Sequence, residues 1–401
     1  MARDQGVATQ LDACFTWARR SGLWPAGHSP HRSALTQARA KLPWQAMATV
    51  LRRSVTLAYE VFPPREEYQW CGLSVFAFDG STYTLPATEA IRQAFDPHRG
   101  LASPGRGHYP PCLVMTVYNV LRRLPIGRTI CALQDGDERV QAQRLLPLLP
   151  PNSVRLFDRG FPSDGFLPAL HHHAHRYVMC CPATSTFPAV AAFVRSGGVE
   201  TVLWLTPSDT CKRHLTPTQR RTRTSLRLRA IRVVAPDGPI SVLLTNLRDP
   251  RRLPRTAIIA LYWRRWAVET PYRDEKTLQH IEHFPSRPPD GIRQALFAIL
   301  IGYVIARTLT ALAVPSESIE TAQSLVRSQL KNALMRFVRD AALLMPAQPG
   351  HALVILQELL HAIRQVKYSK PKSPRPARPR VNKHPAKKWQ ADRQKKLNHA
   401  A

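Results

Sequence analysis

LSVFAFDG, residues 73–80, is where the chain changes its period. Upstream, ALTQARAKLPWQAMATVLRRSVTLAYEVF at 34–62 repeats apolar residues every three or four positions with bases on the other side, which reads as helix. From Leu73 onward the apolar runs are short, rich in Val, Leu, Ile and Phe, and closed by Gly, Asp, Asn or Arg, which reads as strand. CLVMTVYNV at 112–120, RTICALQD at 128–135 and VRLFDRG at 154–160 continue the series. Helix-like DERVQAQRLLPLL follows the third run and DGFLPALHHHAH the fourth, before one more strand, RYVMCCP at 176–182.

Three strands, a helix, a strand, a helix and a strand is the order of a ribonuclease-H-like mixed sheet, whose parallel members need helical crossovers. The expected fold is therefore α/β. Its closing helix, beginning near Thr256, is delayed by a β-rich insertion at about 183–252 made of pieces such as VETVLWLT, LRLRAIRVV and ISVLLTNL. The expected organisation is a helical N-terminal region at 1–70, a catalytic domain at 71–312, a helical region at 313–369 and a basic tail at 370–401. The N-terminal helices read as a DNA-binding region, with a packed helical cap as the alternative. The tail holds eleven Lys or Arg, one acid and five prolines, too polar and interrupted for a core.

Across 401 residues, 57 Lys and Arg face 27 Asp and Glu, a formal charge of +30. Such a surplus repels itself unless a polyanion neutralises it, and nucleic acid is the leading partner. A structural RNA-binding protein would share the charge. The seven cysteines are odd in number and form no C-x-x-C pair, which argues for reduced thiols in a cytoplasm and against a zinc ribbon. No secretory signal is legible at the N-terminus. The longest apolar stretch, ALFAILIGYVIA at 295–306, is shorter than the roughly 20 residues a membrane span needs. A soluble, cytoplasmic, nucleoid-associated protein without a membrane partner is expected.

Acids are scarce, so their positions carry weight. Asp79 is read as ending the first strand and Asp158 as ending the fourth. In a ribonuclease-H-like sheet those strands are parallel neighbours, which would bring both carboxylates to one edge. The helix after the insertion carries YWRRWAVETPYRDEK at 262–276. At about 100° per residue, Tyr262, Arg265, Glu269 and Lys276 fall within roughly 60° of one another. That face would set Glu269 across from the two aspartates. Hard oxygen ligands converging in this way suit phosphodiester cleavage with two divalent metals. Taken singly, each acid has an ordinary explanation as a turn former or a helical ion pair.

DGSTYTLP, DRGF and the pattern Y-x2-R-x3-E-x6-K resemble the IS4 family of bacterial DDE transposases over roughly residues 30–305. The resemblance implies a ribonuclease-H-like core with a β insertion, and Asp79, Asp158 and Glu269 as ligands of two Mg²⁺ or Mn²⁺ ions. It implies that Tyr262, Arg265 and Lys276 grip a transposon end, holding phosphate and an extruded base during hairpin chemistry. Double-stranded DNA, as terminal inverted repeats and as target, is the implied substrate, and paired-end cutting favours a DNA-bound homodimer. Pro271 departs from the pattern: it removes a helical hydrogen bond and puts the reach of Lys276 in doubt.

Other features weigh less. HHHAH at 171–175 lies on a crossover helix without companion cysteines and reads as structural or solvated. Residues 211–232 hold eight Lys or Arg and no acid, which favours DNA contact. Arg159 either contacts substrate or closes its strand. Trp263 and Trp266 read as core residues, and Trp204 is a lesser candidate for a wedge beside a flipped base. The runner-up to a transposase is a non-catalytic DNA-binding or regulatory derivative.

Overall fold

Alternate residues of each strand face opposite sides of a sheet, and the burial of this chain follows that rule. The computed structural model describes residues 31–62, 65–96, 109–183, 187–206, 225–234, 240–269, 286–313 and 349–365, with a few isolated positions that include Tyr272 and Phe284. Two helices lead, α1 (Arg32–Lys41) and α2 (Trp44–Val61). There follow β1 (Ser74–Thr84), α3 (Glu89–Phe95), β2 (Pro111–Asn119), β3 (Leu124–Ala132), α4 (Glu138–Leu145), β4 (Ser153–Phe157), α5 (Phe166–His172) and β5 (Arg176–Pro182). The remainder is α6 (Pro188–Arg195), β6 (Glu200–Leu205), β7 (Leu226–Val234), β8 (Ile240–Thr245), α7 (Arg255–Trp263), α8 (Pro289–Ala313) and α9 (Pro349–Arg364).

The strands form one sheet in the order β3-β2-β1-β4-β5-β8-β7-β6. β1, β2 and β3 pair antiparallel, whereas β1–β4 and β4–β5 are parallel. The first five strands thus have the ribonuclease-H-like order expected from the sequence. The insertion does not stand apart: β8 pairs antiparallel with β5 and carries β7 and β6 with it, so the same sheet grows to eight strands. Two short helices escaped the sequence reading. α3 is capped by Thr88, whose hydroxyl accepts from Ile91 N, and α6 starts at Pro188, where a missing N–H costs nothing.

Phe76 and Phe78 of β1 turn to one face, where α2, α4, α5 and α8 bury them. Phe78 stacks on Phe157 at 4.9 Å, and burying each such ring stabilises the fold by about 1.5–3 kcal/mol. Val75 and Ala77 turn to the other face with Val154 and Leu156 of β4, under Ile258 and Leu261 of α7.

The apolar stretch at 295–306 sits inside α8, a helix of 25 residues. By length and composition α8 could cross a membrane, but most of its apolar stretch is buried within the protein. α2 docks along it, with Trp44 stacked on Phe297, and the Gln294 amide donates to the carbonyls of Arg39 and Leu42. The described N-terminal helices are therefore packed on the core, and α2 leaves Arg52 and Arg53 exposed. α9 rests on the end of α8 through Leu359 and Ile363. Lys276, Pro271, residues 314–348, the basic segment 211–224 and the tail 370–401 lie outside the described residues.

Candidate active site

The register of the parallel pair brings the two aspartates together. β1 pairs with β4 from Ser74↔Ser153 to Ala77↔Leu156, and the next two steps set Asp79 level with Asp158. Neighbouring strands lie about 4.8 Å apart, and both residues share the parity of Ala77 and Leu156, so both belong to the face that α7 covers. The expectation that Asp79 ends its strand is corrected: β1 continues to Thr84, paired with β2 as far as Pro111. Only the β4 side is open beyond Ala77. Asp-Gly resembles a turn locally, but the hydrogen bonds of β2 hold it extended.

Asp158 does close β4. Its Oδ1 accepts from Gly160 N at 2.8 Å, which turns the chain sharply and leaves Arg159 exposed.

Glu269 arrives differently from the regular helix expected. α7 ends at Trp263, and a 3-10 turn over Arg264–Val268 carries the chain onward. With three residues per turn, Arg265 and Val268 share a side and both point inward. Arg265, only 5% exposed, has Nη1 4.0 Å from Asp79 Oδ1 and Nη2 3.6 Å from Glu269 Oε1. Among the described residues its Nε and Nη1 have no hydrogen-bond partner. Tyr262 is buried at 8% exposure, with its hydroxyl hydrogen-bonded to the Cys180 thiol of β5. The expected core positions of Trp263 and Trp266 are corrected. They are 43% and 52% exposed: Trp263 faces outward from the last turn of α7, the tighter turn that follows rotates Trp266 outward, and the Arg265 guanidinium lies 4.8 Å over the Trp266 ring.

Two residues went unnoticed in the sequence. Tyr272 is buried, with its hydroxyl 2.7 Å from Asp79 O and 2.9 Å from Val114 O, so its side chain is fastened to β1 and β2. A buried tyrosine needs such an acceptor, but spacing does not reveal which one. Glu138, first residue of α4, is a fourth acid at the site. It reads as an ordinary helix-start acid.

Burial pushes the Asp79 carboxyl up to about 7; Arg265 pulls it down, and Asp158, Glu269 and Glu138 push it up again. Burial, then Asp158, raises the Glu138 carboxyl. Among the described residues no group of three or more Asp, Glu, His or Cys side chains is placed to hold a metal ion. The donors are nevertheless of the kind a hard divalent cation takes: they are carboxylate oxygens, and burial, helped by the neighbouring acids, pushes one of them, Asp79, up to about 7.

Fold and site define a ribonuclease-H-like protein with acids gathered where its central parallel strands separate. Residues 70–305 match the family model described as Transposase DDE domain, and the chain belongs to that family. Such domains use divalent metal ions. The resemblance to the IS4 family holds. The chain is 26% identical over 284 residues to "Transposase InsG for insertion sequence element IS4" of Escherichia coli (strain K12), covering 69% of this chain and 60% of that protein. It is 38% identical over 80 residues to "Putative transposase y4zB" of Sinorhizobium fredii, 20% of this chain and 22% of the relative. Among solved structures, a piggyBac transposase synaptic complex with hairpin DNA superposes with a TM-score of 0.42 at 9% identity, over 93% of this chain and 80% of that one.

Proposed function

We propose that this protein is a DNA transposase that cuts phosphodiester bonds at insertion-element ends, passes through a hairpin, and joins the freed 3′-hydroxyls to target DNA. The carrying observation is the gathering of Asp79 and Asp158 from parallel neighbours, with Arg265 linking Asp79 to Glu269 across the face. Asp79, Asp158 and Glu269 would hold two divalent ions, Mg²⁺ or Mn²⁺, which when bound supply polarisation of the attacking oxygen and charge stabilisation at the leaving one.

The rest is done by the chain itself. Arg265 presents donors that lack hydrogen-bond partners among the described residues, and its planar fork suits bidentate contact with a phosphate. Trp266, exposed beside that fork, is the ring on which an extruded base stacks. Tyr262, whose ring is buried, supports this arrangement from behind rather than stacking itself. On the insertion, exposed Trp204 lies beside Arg227 of the paired strand and adds a second aromatic and basic couple. Lys276 and Arg159 contact phosphates, and residues 211–232 with the tail supply sequence-independent affinity. Two ends must be cut together, so the working form is a DNA-bound homodimer.

The inverted repeats flanking the gene provide the substrate for a test. With Mg²⁺, the protein should nick and hairpin those ends, and Asp79→Ala, Asp158→Ala and Glu269→Ala should each abolish cutting while DNA binding persists. Cutting by one of these variants removes that residue from the site. A wild-type chain that binds ends without nicking them would favour the non-catalytic DNA-binding derivative.

A further inference from the structure

Glu138 has no role in the chemistry above, yet its position is specified from two sides. Asp137 caps α4 by accepting from Arg139 N at 2.9 Å. Arg139 then reaches the turn after Asp158, donating from Nη2 to Gly160 O at 2.8 Å and from Nε to Phe161 O at 3.3 Å. The start of α4 is thereby tied to the Asp158 turn. On its other side the Glu138 carboxylate lies against Gly80, the neighbour of Asp79, and a Cβ on Gly80 would collide with Oε1 and Cδ of Glu138. Gly80 has the parity of Phe76 and Phe78, so Glu138 approaches from the face opposite α7. β4 ends at Phe157, and beyond it no strand backbone separates the two faces.

An acid at a helix start gains from the helix dipole when it faces water, and that role does not require turning inward. Among the described residues the Glu138 carboxylate has no hydrogen bond and no ion pair. Burial and the neighbouring Asp158 work against its charge, Arg139 offsets them only in part, and a cation shared with Asp158 and Asp79 would relieve the rest. Arg265 independently marks the place as one that receives a further, anionic group such as a phosphate: it is 5% exposed, and among the described residues two of its donor nitrogens lack hydrogen-bond partners.

We propose that Glu138 is a fourth carboxylate ligand of the divalent-metal centre, entering from the opposite face of the sheet, and that residue 80 is glycine because this carboxylate fills the space of a side chain. The inference rests on the metal-dependent reading of the site and deepens it.

The test uses the full chain, stripped of metal, with Mn²⁺ as the probe and free Mn²⁺ read by electron paramagnetic resonance. Glu138→Gln keeps the shape and removes the charge, so Mn²⁺ affinity should fall about 10- to 100-fold. Glu138→Asp should recover part of it, and Gly80→Ala should weaken binding with Glu138 intact. Without Mn²⁺, Glu138→Gln should melt at or above the wild-type temperature, because one repelling charge is gone. Wild-type affinity in Glu138→Gln alongside lost affinity in Asp79→Asn would overturn the assignment and leave the metal reading standing. A wild-type chain that takes up no Mn²⁺ at millimolar concentration would overturn both.

Discussion

Replacing the central acid should make the protein more stable and inactive at once. The Asp79 carboxyl is pushed up to about 7 in the fold against 3.8 for an ordinary aspartate, chiefly because it is buried; Arg265 pulls it down, and Asp158, Glu269 and Glu138 add to the rise. The folded chain therefore keeps the proton to near neutrality, while the unfolded chain releases it near pH 4. Stability falls as pH rises through that interval and levels off above it. At about 1.4 kcal/mol per pH unit, the roughly three-unit gap amounts to as much as about 4 kcal/mol by pH 8. Asp79→Asn does not titrate and escapes this cost. In urea denaturation with chelator present, the variant should exceed wild type by one to four kcal/mol at pH 8, as an order of magnitude, and the advantage should shrink steadily toward pH 4. Adding Mg²⁺ should raise wild-type stability and leave the variant unmoved. A variant no more stable than wild type at pH 8, or an advantage that does not change with pH, would refute the electrostatic account.

Trp266→Ala should slow hairpin formation about ten- to a hundredfold, from roughly 1–3 kcal/mol of lost stacking, while the first nick proceeds normally; nicked end substrates separate the two steps. Tyr262→Phe should leave that ratio unchanged, since the ring is buried and only its bond to Cys180 is lost. Tyr272→Phe should cost about 0.5–1.5 kcal/mol in denaturant unfolding and lower the cutting rate, because the carbonyls of Asp79 and Val114 lose their shared donor. Removing 370–401 should weaken binding to all DNA alike and flatten its salt dependence, measurable by titrating end and random duplexes at two ionic strengths.

The core sheet was legible because strand periodicity is local: LSVFAFDG and VRLFDRG each alternate between two buried faces, whatever lies elsewhere. Asp158 was equally legible, since Asp and Gly after an apolar run close a strand by their own hydrogen bonding. Asp-Gly at 79–80 misled for the same reason. The local signal says turn, and only β2, more than 30 residues away, keeps the chain extended.

The sequence by itself determined the order of elements, the basic surplus and the three acids that stand out against it. Each is a property of neighbours along the chain. Tertiary structure alone decided that Tyr262 faces inward and Trp266 outward, since packing tightened the helix after Trp263 and changed the rotation between them. It alone joined the insertion to the central sheet, through hydrogen bonds of β8 to β5 that no periodicity announces. It alone brought Glu138 against Gly80 and Tyr272 against the carbonyl of Asp79. These are contacts between residues 58 and 193 positions apart, whose meeting depends on how whole elements pack and leaves no mark on either local sequence.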